Sequence, residues 1–487
     1  MSPEVEVAGA RAASWAIGAV AVTVAVTSLL CLVPALRHWL ILPVATCGIL
    51  VAPDVVDWSR KRLDTFDPQA ILALVGAHFF FFAPLLHVTL DYWPRFVPPS
   101  TDWRAALGDM AWINVVGLLI YRCVLASVRD VRPRPAFAVD RDRMIFAGGM
   151  VFAASLVSFV ALVASFGGLG GYVGFMTSPD RDLTGYGLTV LTSSAFPLVG
   201  LTLVLVRWRT VLRRRPHLLI LLVVVFVLVQ FVAGGLRGSR GSLIWPVLIA
   251  LALCHLIVVP LRRRILALVL LAILGFMYVY GFYKSVNSNV LDIFTGAKSV
   301  SELAEETGRD IPGLLLGDLA RADIQALVLE RQRGGTAPLG HGISYLGDVT
   351  SLIPRGAGLS VPGKSEIGTD MFYGAGTFDS GFRSSRIYGL AGEATLNFGA
   401  VGGMLSFLPL GLVVRAACSR YRRARGADSS LALKLLAPAM SISVVLLLTS
   451  DLDNFLWFVA SQMFALLLVV GLARHPTAHP HGRWPAT

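Results

Sequence analysis

Charge is scarce in this chain. Of 487 residues only 15% are charged, whereas 55% are hydrophobic, and the mean hydropathy is +0.70. A soluble domain carries roughly 25% charged residues, so this shortage excludes a soluble globular protein. Cysteine is scarce as well. Cys31, Cys47, Cys123, Cys254 and Cys418 are scattered without paired spacing, and no disulfide framework or zinc site follows from them. No internal repeat is visible. What the chain has instead is a series of long apolar runs and an excess of basic residues, net +12. Such an excess is the footprint of phosphate binding and taken alone would suggest nucleic acid. Its placement decides otherwise.

A transmembrane helix needs about 20 mostly apolar residues to cross ~30 Å of hydrocarbon. Twelve stretches qualify: 14–33, 37–52, 69–89, 106–128, 144–166, 187–206, 217–235, 242–260, 265–283, 390–414, 431–450 and 454–472. The second is short and interrupted at Pro43. Basic clusters follow every second span, at 60–62, 129–143, 207–215, 262–264 and 415–425. The positive-inside rule puts these, and both termini, in the cytoplasm. The basic excess is then an insertion signal, and the nucleic-acid reading falls away. Arg122, near the inner end of span four, is expected to snorkel. The expected fold is an all-α polytopic membrane protein of about 12 helices with one long outer loop between helices 9 and 10. The expected divisions are a nine-helix region (1–283), the loop (284–389), a three-helix region (390–472) and a cytoplasmic tail (473–487).

The loop is the first place to look for function, because structureless connections rarely exceed ~12–15 residues and long ones tend to carry activity. Its stretch from Ile311 to Arg333 reads as one amphipathic helix, with Leu315, Leu319, Ala322 and Ala326 on a face, lying on the membrane or capping the bundle. The part after Gly334 is rich in Gly and Pro and carries Arg355, Lys364, Arg383 and Arg386, which suits an extended anionic ligand.

Several motifs bear chemistry. Residues 358–365 match G-x-x-x-x-G-K-S, but a nucleotide site needs a buried strand before it and a helix after it. Neither is expected here, so Lys364 is left as a point charge for phosphate. In the turn Gly234 to Ser242, Arg237 and Arg240 offer forks suited to bidentate phosphate contact; the plainer reading is a turn whose arginines touch headgroups. Arg386, Glu393 and Asn397 share one face if the tenth helix extends back to 386. An ionisable group inside a span is a functional hypothesis by default, against the plain alternative of an acid paired near a helix N-terminus. Gly399 and Gly403 read as close helix packing. Asp451, Asp453 and Asn454 read as helix capping more readily than as catalysts. His341 is held as a reserve base. The tail histidines His475, His479 and His481 are not expected to bind metal.

Four patches together carry a family likeness: Phe166 to Tyr172 (FGGLGGY), Gly235 to Arg240 (GLRGSR), Gly342 to Leu346 (GISYL) leading to Ile353-Pro354-Arg355, and Gly392 to Gly399 (GEATLNFG). With the late outer loop, the chain resembles the oligosaccharide repeat-unit polymerases, the Wzy-like O-antigen or exopolysaccharide polymerases. The resemblance implies a glycosyltransferase on the outer face of a bacterial cytoplasmic membrane. Its substrates would be polyprenyl-diphosphate-linked oligosaccharides, and its partners the bilayer, a chain-length regulator and a flippase. No cofactor and no metal are implied. Arg237, Arg240, Arg355, Lys364, Arg383 and Arg386 would stabilise the departing diphosphate. Glu393 would be the base, with His341 and Asp348 behind it and Asn397 in support. An O-antigen-ligase-like transferase is the nearest rival. A transporter or flippase of lipid-linked oligosaccharides is the rival from another class, disfavoured because the spans are nearly free of charge.

Overall fold

The computed structural model describes residues 3–93, 102–127, 138–178, Leu183, 185–286, 298–351, 361–382, 386–426 and 430–475. Arg355, Arg383, His479, His481 and the opening residues of the 358–365 motif lie outside them.

The chain is an all-α polytopic membrane protein. Its helices in order are α1 (Pro3–Leu32), α2 (Ile41–Ser59), α3 (Pro68–Thr89), α4 (Trp103–Ser127), α5 (Arg141–Ser165), the short α6 (Leu169–Thr177), α7 (Gly187–Arg207), α8 (Pro216–Ala233), α9 (Gly241–Val258) and α10 (Arg263–Val286). Four helices of the connecting segment follow: α11 (Val300–Thr307), α12 (Ala322–Arg333), α13 (Ile343–Thr350) and α14 (Lys364–Tyr373). Then come α15 (Gly389–Leu405), α16 (Phe407–Arg425), α17 (Leu431–Thr449) and α18 (Leu452–Leu472). Among the described residues eleven helices are long and apolar enough to span a bilayer, and the bent pair α15 and α16 raises this to up to 12.

Polar contacts sort the bundle into two ends. At one, the basic clusters meet buried acids and carbonyls. Arg422 and Tyr421 bind Asp67 and Asp64, His255 also binds Asp64, and Arg263 donates to the Trp58 carbonyl. Arg141 reaches the Arg207 carbonyl, and Ala138–Val139 pairs antiparallel with Arg474–His475. At the other end lie the connecting segment and the turns that carry Arg237, Arg240 and Asp451. The described members of the basic clusters thus gather on one end, as their alternation along the chain requires.

Three expectations need correction. The second span begins at Ile41, continues past residue 52 and ends at Ser59. Its last turns survive outside the apolar run because Asp54 is held by Gln69 and Arg122, and Asp57 by Ser14 and Arg62. For the same reason Arg122 does not snorkel. It is ion-paired to Asp54, with its side chain 17% exposed. The stretch from Ile311 to Arg333 is not one surface helix. A π-helical turn at Gly313–Asp318 is followed by α12, and residues 322–329 are all buried. Ala322, Ala326 and Leu329 belong to the same core as residues of α2, α4 and α16. Within the connecting segment α12 is therefore packed into the bundle.

The tenth span is broken. α15 and α16 are bent by 57°, and within α15 Gly399 is non-helical at φ 68°, ψ −162°. A side chain at that positive φ would be strained, which is why glycine stands there. The break strands carbonyls that the helical ladder would otherwise use, a costly state where water is absent. The connecting segment satisfies them. Gln332 Nε2 donates to the Thr395 and Leu396 carbonyls, the Gly340 N–H to Leu396, and the His341 N–H to Asn397. Gly399 thus marks a break, and helix packing falls to Gly403, which faces Ile113 and Thr395.

Candidate functional site

The start of α15 is the meeting point of four chain segments. Asp451, in the turn before α18, is fully buried and accepts from the N–H groups of Tyr388 and Gly389 at 2.7 and 2.8 Å. It is a cap, but of α15 and not of its own helix, where its side chain makes no capping bond. Its other oxygen takes the ammonium of Lys364, which also bonds Asp453 at 2.6 Å. Burial opposes the charge on Lys364, and the two aspartates outweigh it and raise its pKa. Lys364 is therefore engaged inside the protein and not free for phosphate. It does open a helix, α14, contrary to expectation; residues 352–360, where a preceding strand would stand, lie outside the described residues.

From Asp453 the network runs on to the carboxyls. The Asp453 N–H donates to Asp348 at 3.2 Å, and the Asp348 and Glu393 carboxyls share a hydrogen bond. Glu393, 2% exposed, also accepts from the Leu452 N–H at 2.8 Å and from the Ser344 hydroxyl at 3.4 Å. Asn397 donates to Ser344 and to the Glu393 carbonyl, and its own oxygen accepts from the Gly342 N–H. Asn397 is thus tied to the elements that carry the pair. Two carboxyls in hydrogen-bond contact hold one proton between them. Burial lifts Asp348 to about 6; the bond from Glu393 works against that, and the charges of Asp453 and Asp451 add to it.

Arg386 precedes α15 instead of belonging to it, so the shared face at 386, 393 and 397 is not formed as expected. The arginine lies in a second cluster next to the first. Arg240 grips Asp318 through both guanidinium nitrogens at 2.6 and 2.7 Å, and Arg309 reaches the same carboxylate at 3.5 Å. Burial would raise Asp318, but Arg240, Arg309 and Arg321 hold it below the usual carboxylate range. Half-buried Arg386 stands close enough to Arg309 for the two charges to repel. Arginines are therefore concentrated here around Asp318, with Asp323 and Asp451 also acting on Arg321. The clusters touch at Gly389, whose Cα faces the Arg321 stem and whose N–H is bound by Asp451.

Of the two remaining candidates Arg237 stands elsewhere, whereas His341 borders the network through its N–H on the Asn397 carbonyl. Arg237 points into the interruption of α7, where it donates to the Val190 carbonyl and to the hydroxyls of Ser193 and Ser194. It repairs a broken helix and is not open to a ligand. His341 sits in a left-handed turn at φ 47°, with an exposed side chain.

Asp451, Asp318, Arg309 and Arg321 are the site residues that sequence reasoning did not select. Asp451 had a signal, an acid in an otherwise apolar turn, which capping explained equally well. For the other three the segment had no visible partner.

Beside Glu393 and Asp451 opens a cavity of 620 Å³, walled mainly by Leu390, Phe398, Val401, Leu405, Leu447 and Phe455. Among the described residues no group of three or more His, Cys, Asp or Glu side chains is placed to hold a metal ion. The chain matches no family model, no curated protein and no solved structure.

Proposed function

We propose that the protein is a membrane glycosyltransferase that joins polyprenyl-diphosphate-linked oligosaccharide repeat units into a polysaccharide, at the outer face of the bacterial cytoplasmic membrane. The observation that carries this reading is the adjacency of an arginine cluster and a buried carboxyl pair at the head of one broken span.

The chemistry divides between them. A hydroxyl oxygen of the acceptor unit attacks the anomeric carbon of the growing chain, and the bond from that carbon to the lipid diphosphate breaks. The bonding electrons leave on the diphosphate, whose developing charge Arg240, Arg309 and Arg386 stabilise, a function that needs fixed donors of the correct sign. The proton of the attacking hydroxyl passes to a carboxylate. Asp348 suits this better than Glu393, because its pKa of about 6 leaves it ionised yet basic at neutral pH. Glu393 then orients Asp348 by donating to it. The pairing of Lys364 with Asp451 and Asp453 keeps the carboxyl cluster from carrying its full negative charge beside the arginines.

Incubation of the purified protein with lipid-linked repeat units, resolved on a gel, tests the reading. A ladder of chain lengths is expected. Movement of intact units across vesicles with no ladder would replace the transferase by a transporter.

A further inference from the structure

The 620 Å³ cavity is not used by the reading above, and its size falls in the range of specific ligand sites. Phe398, Val401 and Leu405 line it while being 48%, 64% and 53% exposed. They run on into Leu408 and Leu412, also exposed, on the outer side of α16. In a bilayer-spanning bundle that side meets hydrocarbon, so the cavity opens sideways into the membrane and not toward water. Its titratable lining is Glu393 and Asp451, and no Lys or Arg lines it. Lys364, the nearest ammonium to Asp451, is already held by Asp451 and Asp453. Arg240 and Arg309 are gathered on Asp318, and Arg321, whose charge acts on Asp451, does not line the cavity either.

A hydrocarbon chain entering this cavity would bring its head against carboxyl oxygens. A phosphate there would find no Lys or Arg among the lining residues, and low polarity magnifies the cost of its unpaired charge. A hydroxyl would find acceptors. We propose that the cavity binds a lipid whose chain ends in an uncharged hydroxyl, of the polyprenol or diacylglycerol class, with that hydroxyl against Glu393. This is a lipid site distinct from the one that holds a diphosphate. A hydroxyl so placed lies beside the Asp348–Glu393 pair, so the bound alcohol competes with the acceptor for the base; only this competition rests on the transferase reading.

The test is native mass spectrometry of the purified full chain, released from detergent after incubation with a long-chain polyprenol or with the matching polyprenyl phosphate. The polyprenol should bind at least about tenfold more tightly, a difference of roughly 1.4 kcal/mol. Val401→Trp and Leu405→Trp, which fill the cavity, should each lose it. Val160→Trp, on the lipid-facing side of α5 where Val160 is 57% exposed, should keep it. Equal or tighter binding of the phosphate, or polyprenol binding by both filled variants at the parent level, would overturn the proposal. Neither readout depends on sugar transfer, so absence of a polymer ladder and absence of lipid binding are separate results.

Discussion

Arg237 and Arg240 share one turn and do different work. The first spends its donors on a carbonyl and two hydroxyls of α7; the second meets a carboxylate that Arg309 also reaches. Arg240→Ala and Arg386→Ala should therefore lower chain elongation by about 10²–10³-fold, the usual loss when one donor to a developing negative charge is removed, with expression intact. Ladder formation by either variant at the parent rate would remove that residue from the mechanism. Asp348 makes a prediction in pH. A base with a pKa of about 6 is protonated below that value, so elongation should rise as pH passes upward through about 6. In Asp348→Asn both the limb and the activity should be lost. Glu393→Gln keeps a donor toward Asp348 but removes the shared proton, and elongation should fall with it. The same shift acts on stability in the opposite sense. Because the folded pKa lies above the ordinary carboxylate value, this group favours the fold most in acid and contributes less as pH rises through about 6.

The element on which the site depends is α15, an interrupted helix held by groups from outside itself. Gly399→Ala should destabilise the protein by about 1–3 kcal/mol, the cost of a side chain held in a sparsely populated backbone region. Gln332→Ala leaves two buried carbonyls with fewer partners and should cost about 1–3 kcal/mol. Thermal unfolding in detergent measures both; parent-like melting in the two would mean that the break is not held in this way. The Lys364–Asp451 pair permits a sharper test. Lys364→Met leaves the buried Asp451 carboxylate without its counter-charge and should cost about 3–5 kcal/mol, whereas replacing both members of such a pair is often nearly neutral. Lys364→Met combined with Asp451→Asn, which retains an acceptor for the Tyr388 and Gly389 N–H groups, should recover much of the loss. A double variant no better than the single would show that the pair is not the source of the stability.

For the whole molecule, the two ends supply the prediction. In a variant lacking the exposed Cys31 and Cys123, a cysteine at Gly335 should react with a membrane-impermeant thiol reagent added outside intact cells. One at Ser59 should react only after lysis. The reverse pattern would invert the orientation. The spans and the two ends were legible in the sequence because apolar length and basic flanks are local properties. So were Glu393 and Asn397, polar groups in an apolar setting. Lys364 was legible as a charge and not as a partner, since its acids lie 87 and 89 residues further on and their meeting depends on which turns share an end. The depth of Arg321, and the break at Gly399 with its repair by Gln332, were hidden for the same reason. Each is set by what packs around it.

The cap by Asp451 also orders events in time. The chain is made and inserted from its N-terminus, so Arg240, Arg309, Lys364 and the whole of α15 reach the membrane before residue 451 exists. Until then α15 has two uncapped N–H groups and Lys364 lacks both aspartates that bind it. The site is completed only when the turn between α17 and α18 arrives, and a chain halted before it holds the arginines but not the lock that joins them to the carboxyls.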